Sequence, residues 1–135
     1  MIPLATLPLE YARSFSLHLY TIGHGLLLLR SGKTTELVTR VDIAFYDVRW
    51  MVLPNRLNGL RIEKGQISDI PLPLTEMIKK EAHFMSVYRL SSEGVMHYLL
   101  ADAVRVMEDE KDYMDNSPLL PYCNLRAFST IPKNA

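Results

Sequence analysis

The stretch Arg40-Val41-Asp42-Ile43-Ala44-Phe45-Tyr46-Asp47-Val48-Arg49-Trp50-Met51-Val52-Leu53 decides the fold class. Val41, Ile43 and Phe45 recur at every second residue, while Arg40, Asp42 and Tyr46 occupy the opposite phase. A period of two places alternate side chains on opposite faces of a β-strand, one apolar and one polar. The phase changes near Asp47, after which Val48, Trp50 and Val52 share one face and Arg49, Met51 and Leu53 the other. A bulge or sharp bend at Asp47 would re-aim the strand in this way. Trp50 reads first as a core anchor and second as an exposed binding hot spot. Pro54-Asn55 ends the run, because proline removes a ladder donor.

Towards the N-terminus the alternation continues. Phe15, Leu17 and Leu19 oppose Ser14, Ser16, His18 and Tyr20, and Gly23-His24-Gly25 supplies a turn into the uniformly apolar run Leu26 to Leu29. Glycine tolerates the positive φ angles that tight hairpins need. A turn centred there pairs Ile22 with Leu26, Tyr20 with Leu28 and His18 with Arg30, and the apolar run suits a strand covered on both sides. Towards the C-terminus, Asn58-Gly59 marks a turn or an irregularity before Leu60 and Ile62. Leu74, Met77 and Ile78 then follow helical spacing, with Glu76 in the first turn and Lys79 and Lys80 near the end, which predicts a helix over 74–82. Strand patterns resume around the Ser91-Ser92-Glu93-Gly94 turn, at Val95 to Leu100 and at Ala103 to Met107, with a last candidate from Leu125 to Ile131. About seven short strands with hairpin-length turns and one helix predict an antiparallel β-sandwich or partly open barrel, formed by one domain over 1–135.

Composition narrows the function. The 135 residues are 48% apolar, enough for one self-sufficient core, and 15 Lys plus Arg balance 15 Asp plus Glu. Zero net charge without a basic run argues against nucleic acid as a partner. The longest stretch free of Asp, Glu, Lys and Arg, Ser14 to Leu29, falls short of the roughly 20 residues of a spanning helix, and the N-terminus has no basic region of a signal peptide. Cys123 is the only cysteine, so no internal disulfide forms, which fits a reducing cytoplasm.

Chemical motifs are sparse. There is no phosphate loop, and His18, His24, His83 and His97 lack the spacing of common zinc motifs, so neither cofactor nor metal is expected. Two candidate sites remain. One is the polar sheet face with Arg40, Asp42 and Tyr46, joined by His18 and Tyr20 from a neighbouring strand. A carboxylate there would orient a histidine and an arginine would hold an anion, the parts of a small hydrolase or isomerase; the same residues also compose an ordinary solvated face. The other is the acidic run Glu108, Asp109, Glu110, Asp112 and Asp115, five carboxylates in eight residues beyond a strand end. It reads as a solvated loop or as a patch for a basic partner.

Three segments carry a resemblance: Val41 to Arg49, Asn58-Gly59-Leu60-Arg61-Ile62, and Tyr88 to Gly94 leading to Ala101-Asp102-Ala103-Val104-Arg105-Val106. A strand ending in Phe-x-x-Val-Arg, a glycine-marked strand and a late hairpin entering Ala-x-x-Val-x-Val resemble small bacterial β-rich domains of unknown function. Some of these are similar to immunity proteins of polymorphic toxin systems. The resemblance covers about a third of the chain and implies a β-rich fold and a protein partner, without catalytic residues. The expectation is therefore a cytoplasmic protein-binding domain, in its specific form one that neutralises a basic toxin. A small-ligand-binding barrel is the alternative, and self-association stays open.

Overall fold

The computed structural model describes residues 2–120. Eight strands form one antiparallel sheet: β1 (Leu9–Thr21), β2 (Leu26–Ser31), β3 (Arg40–Tyr46), β4 (Trp50–Val52), β5 (Arg56–Lys64), β6 (Ser86–Ser92), β7 (Val95–Ala101) and β8 (Ala103–Asp109). A short 3-10 turn (Ile67–Asp69) and the helix α1 (Leu74–Ala82) lie between β5 and β6. The architecture is the expected mainly β fold, and α1 has the bounds that the spacing of Leu74, Met77 and Ile78 predicts. The candidate strand Leu125 to Ile131 and Cys123 lie outside the described residues.

The strand order is β4-β7-β6-β5-β1-β2-β3-β8. Its two ends belong to the same pair of chain segments, because β3 runs into β4 and β7 into β8. Pairing passes from Tyr46 with Ala103 to Trp50 with Leu100 across the bend. There the Asp102 N–H donates to the Tyr46 carbonyl and the Arg49 N–H to the Leu100 carbonyl, both at 2.9 Å. One bent ribbon thus joins β2 on one side to β6 on the other and curls the sheet into a partly open barrel. Asp47, where the sequence changes phase, sits at the bend with φ of 53°. Residues 2–8 cross the open seam: the Ala5 N–H donates to the Val104 carbonyl at 2.9 Å, and Ala5 and Leu7 pack against the interior.

The interior is filled by Phe15, Leu27, Leu29, Val41, Ile43, Phe45, Leu57, Ile62, Leu90 and Leu99. Burying such side chains contributes about 1.5–3 kcal/mol each, the main drive to this fold. Two smaller clusters form outside the barrel. Ile70, Ile78, Val87 and Leu100 gather under α1, while Leu26, Leu28 and Ala44 meet Leu119 and Leu120. All six residues of β2 are buried, so this strand is covered on both sides as its apolar run predicts.

Two local expectations change, and a third resolves to one of its two alternatives. The β1–β2 register shifts between Leu17 and Leu19, so Tyr20 pairs with Leu27, Ser16 takes the place opposite Arg30, and His18 lies in the irregularity. The shift also reverses the phase: Phe15 and Leu17 face the interior, whereas Leu19 packs in the cluster of Leu26 and Leu28. Trp50 is half-buried against the α1 cluster and not in the interior, since the inward side chains beyond the bend are Met51 and Leu53. Gly59 lies within β5 at φ of 73° as an irregularity, opposite a register shift in β1 between Tyr11 and Ser14.

The β1–β2 turn is locked to the ribbon. Gly25 has φ of 59°, its carbonyl accepts the Val48 N–H at 2.8 Å, and a Cβ there would meet the Val48 backbone nitrogen at 3.0 Å. Gly25→Ala is therefore expected to cost about 1–3 kcal/mol in urea unfolding, from left-handed strain and the backbone clash. Gly23→Ala, with nothing within 4 Å of a Cβ, is expected to change stability by less than about 0.5 kcal/mol.

Candidate functional site

The two sites read from the sequence form a single assembly on the outer face of β2 and β3, roofed by the segment after β8. Antiparallel register sets Arg30 on β2 opposite Asp42 on β3, and Arg40 on β3 opposite Asp109 on β8. Arg30 donates from Nε and Nη2 to the two Asp42 oxygens at 2.7 and 3.0 Å. Arg40 donates in the same forked way to Asp109 at 3.1 and 3.0 Å. A longer contact of 3.7 Å between Arg40 and Asp42 links the two pairs into one chain of alternating charge. Forked pairs of this kind combine strong charge-assisted bonds with fixed geometry.

This face is not solvated. The side chains of Arg30 and Arg40 are 0% exposed and that of Asp42 is 2%. Buried charge is costly unless every donor is satisfied, and the roof supplies the missing acceptors. Arg40 donates to the backbone carbonyls of Asp112 at 3.0 Å, Asp115 at 2.7 Å and Asn116 at 3.3 Å. Arg30 donates to the Tyr113 carbonyl, and its guanidinium carbon lies 5.8 Å from the centre of that tyrosine's ring. Arg13 on β1 completes the surround, reaching Ser31 Oγ at 2.7 Å and the Thr39 carbonyl at 2.6 Å.

His18 joins the assembly, whereas Tyr20 does not. The His18 Nε2 lies 3.2 Å from Arg30 Nη1, and its ring meets Tyr113 edge to face at 5.1 Å. A guanidinium only donates, so Nε2 accepts and the ring is neutral with its proton on Nδ1. Burial lowers the His18 pKa below its ordinary 6.5, and the Arg30 charge lowers it further against a smaller opposing effect of Asp42. Tyr20 is 37% exposed near the hairpin end. Tyr46 serves a neighbouring contact, donating to the Leu119 carbonyl at 2.8 Å beneath the Arg105 guanidinium, and burial raises its pKa.

The five acidic residues divide into two inward and three outward groups. Asp109 is clamped on Arg40, and Asp115 turns back to accept the Asp112 N–H at 2.9 Å. Glu108, Glu110 and Asp112 are exposed. Glu108 accepts from Thr39 Oγ1 at 2.6 Å, and Lys33 Nζ binds the Glu110 carbonyl at 2.9 Å and the Asp112 carboxylate at 3.0 Å. These contacts hold the 33–39 loop beside the acidic segment. Both loops expose apolar side chains, Val38 at 67% and Met114 at 57%, together with Tyr113. The result is an edge tied together by these bonds, with apolar groups among carboxylates.

Sequence reasoning missed Arg30 and Arg13. Arg30 carried a usable signal, since a charged residue ending a strand that is apolar on both faces needs a buried counter-ion. Asp42 already accepts a forked pair of bonds from Arg30, lies 3.7 Å from Arg40 behind the roof, and has no side open to a substrate. Among the described residues no group of three or more His, Cys, Asp or Glu is placed to hold a metal, and no helix is long and apolar enough to cross a membrane.

Asp42→Asn leaves two buried guanidiniums without their shared carboxylate and is expected to cost about 3–5 kcal/mol in denaturant unfolding. Tyr46→Phe, which removes one neutral hydrogen bond, is expected to cost about 1 kcal/mol. His18 also makes stability depend on pH. Its folded pKa is depressed, so the unfolded chain takes up the proton first, and stability is full above about 6.5 and declines as pH falls towards the lowered value. Comparing unfolding at pH 7.5 and 5, His18→Gln is expected to lose less stability than the parent protein. A scan against protein-family models finds no match, and searches of curated proteins and of solved structures find none either.

Proposed function

We propose that the protein is a non-enzymatic binding domain that recognises a basic protein partner through the edge formed by residues 33–39 and 108–114. One observation carries this reading: buried Arg40 grips the acidic segment by its backbone carbonyls and leaves the Glu108, Glu110 and Asp112 side chains facing solvent. A loop fixed in this way has already met most of its ordering cost before a partner arrives. Exposed carboxylates speed encounter with a cationic surface, and the apolar Val38, Tyr113 and Met114 side chains beside them supply the contacts that slow departure. Neither nucleic acid nor membrane suits an acidic edge of this kind.

The resemblance to immunity-type domains favours a cationic toxin as the partner, with the protein acting in the cytoplasm, where a lone cysteine stays reduced. The alternative of a ligand held inside the barrel is less well supported, because Leu27, Leu29, Ile43, Ile62 and Leu90 fill the interior. A small hydrolase or isomerase on the Arg40 and Asp42 face is supported least, since those groups are buried and mutually paired.

The test is association kinetics with the partner that co-purifies with the tagged protein. Joint replacement of Glu108, Glu110 and Asp112 by lysine is expected to slow association at least about tenfold at low salt and to abolish its salt dependence, with the β-sheet circular dichroism spectrum retained. An association rate indifferent to both salt and the reversals would contradict the proposal.

A further inference from the structure

Tyr113 is the residue through which the roof meets Arg30, and it touches the sheet at three points. Its carbonyl accepts from Arg30 Nη1, and its ring lies edge to face against His18 at 5.1 Å. The same ring covers Gly32, where a Cβ would stand 2.6 Å from Tyr113 Cδ2. Arg30 Nη1 divides its two hydrogens between the Tyr113 carbonyl and His18 Nε2, which is 3.2 Å away. One guanidinium nitrogen therefore holds both the roof and the histidine, and it holds the histidine only while Nε2 keeps its lone pair.

Protonation removes that lone pair. It leaves an Arg30 N–H without its acceptor and sets two cations 3.2 Å apart. The surroundings do little to absorb the added charge. Arg30 on β2 and Arg40 on β3 oppose it, and Asp42 on β3, which favours it, is already taken by the Arg30 fork. On β5 the charged residue at this end of the pairing is another cation, Arg56, opposite Ser16. Arg30 has no room to retreat, because its Nε and Nη2 are clamped on Asp42 and its side chain is 0% exposed. Tyr113, at 39%, is the most exposed member of the cluster, so a separation of His18 from Arg30 is taken up there.

We propose that His18 is an acid-sensitive latch on the roof: protonation of its ring unseats Tyr113 and loosens the turn 112–115, which is ordered at neutral pH. Arg40 keeps its hold on the carbonyls of Asp112, Asp115 and Asn116, so the segment stays attached while its turn opens. That the latch also governs partner release rests on the reading of this edge as a binding surface. The latch itself does not, and it is tested on the free protein.

The experiment is a nuclear magnetic resonance titration from pH 7.5 to 5, following the ring nitrogens of His18 and the amides of Tyr113 and Asp115. The neutral ring is expected to carry its proton on Nδ1 and to titrate below 6.5, with both amides shifting at the same midpoint. Exchange protection of the Asp115 amide, bonded to the Asp112 carbonyl, should fall at least about threefold while amides of β2 and β3 keep theirs. His18→Gln, which keeps an acceptor for Arg30 and takes up no proton, should lose both responses. Gly32→Ala displaces the Tyr113 ring by its added Cβ and should move the His18 midpoint up towards 6.5, because a turn that loosens on protonation makes protonation easier once loosened. The titration of the parent protein keeps the test usable if either variant does not fold. Roof amides indifferent to the His18 titration, an equal response in His18→Gln, or an unmoved midpoint in Gly32→Ala would each overturn the proposal.

Discussion

Two guanidinium groups buried on the outside of a β-sheet set the terms for the rest of this structure. Arg30 and Arg40 are fully excluded from water, and taking such charges out of solvent is affordable only when every donor finds an acceptor. Asp42 and Asp109 supply the opposite charge, and the carbonyls of residues 112–116 supply the remaining acceptors. These bonds hold the chain after β8 against both arginines. That position brings Leu119 and Leu120 onto Leu26 and Leu28, which completes the cover over β2. An electrostatic requirement on one face thus determines where an apolar cluster forms.

The same requirement links fold to function. Apolar side chains fill the barrel interior, so the recognition we propose falls to what surrounds it. On the β2–β3 face the arginines convert a charged segment into a fixed edge, with two carboxylates turned inward as anchors and three turned outward.

Much of the fold was legible because strand and helix periods act locally. Val41, Ile43 and Phe45 do face the interior, the phase change at Asp47 is a bend with positive φ, and α1 spans the expected residues. The Glu93-Gly94 turn also joins β6 to β7, with both residues at positive φ. What failed depended on pairing between distant segments. Alternation alone cannot reveal the irregularity at His18, which moves Leu19 to the other face, nor which face Trp50 takes beyond a bend. The candidate site was legible as two separate lists, the polar face and the acidic run. Their union was hidden because Arg40 grips that run mainly by backbone carbonyls, which every sequence possesses and no side-chain pattern reports. Reading Arg40 and Asp42 as a solvated face missed the roof for the same reason.

The central claim is that Arg40 fixes the acidic segment. It is tested most directly by amide hydrogen exchange in Arg40→Met, which keeps much of the side-chain bulk and removes the five donors. The amides of Lys111, Asp112 and Asp115, each hydrogen-bonded within the segment, report on it locally. The account predicts that they lose protection by about tenfold or more while amides of the interior strands exchange only through global unfolding. Protection of those three amides equal to that in the parent protein would contradict it.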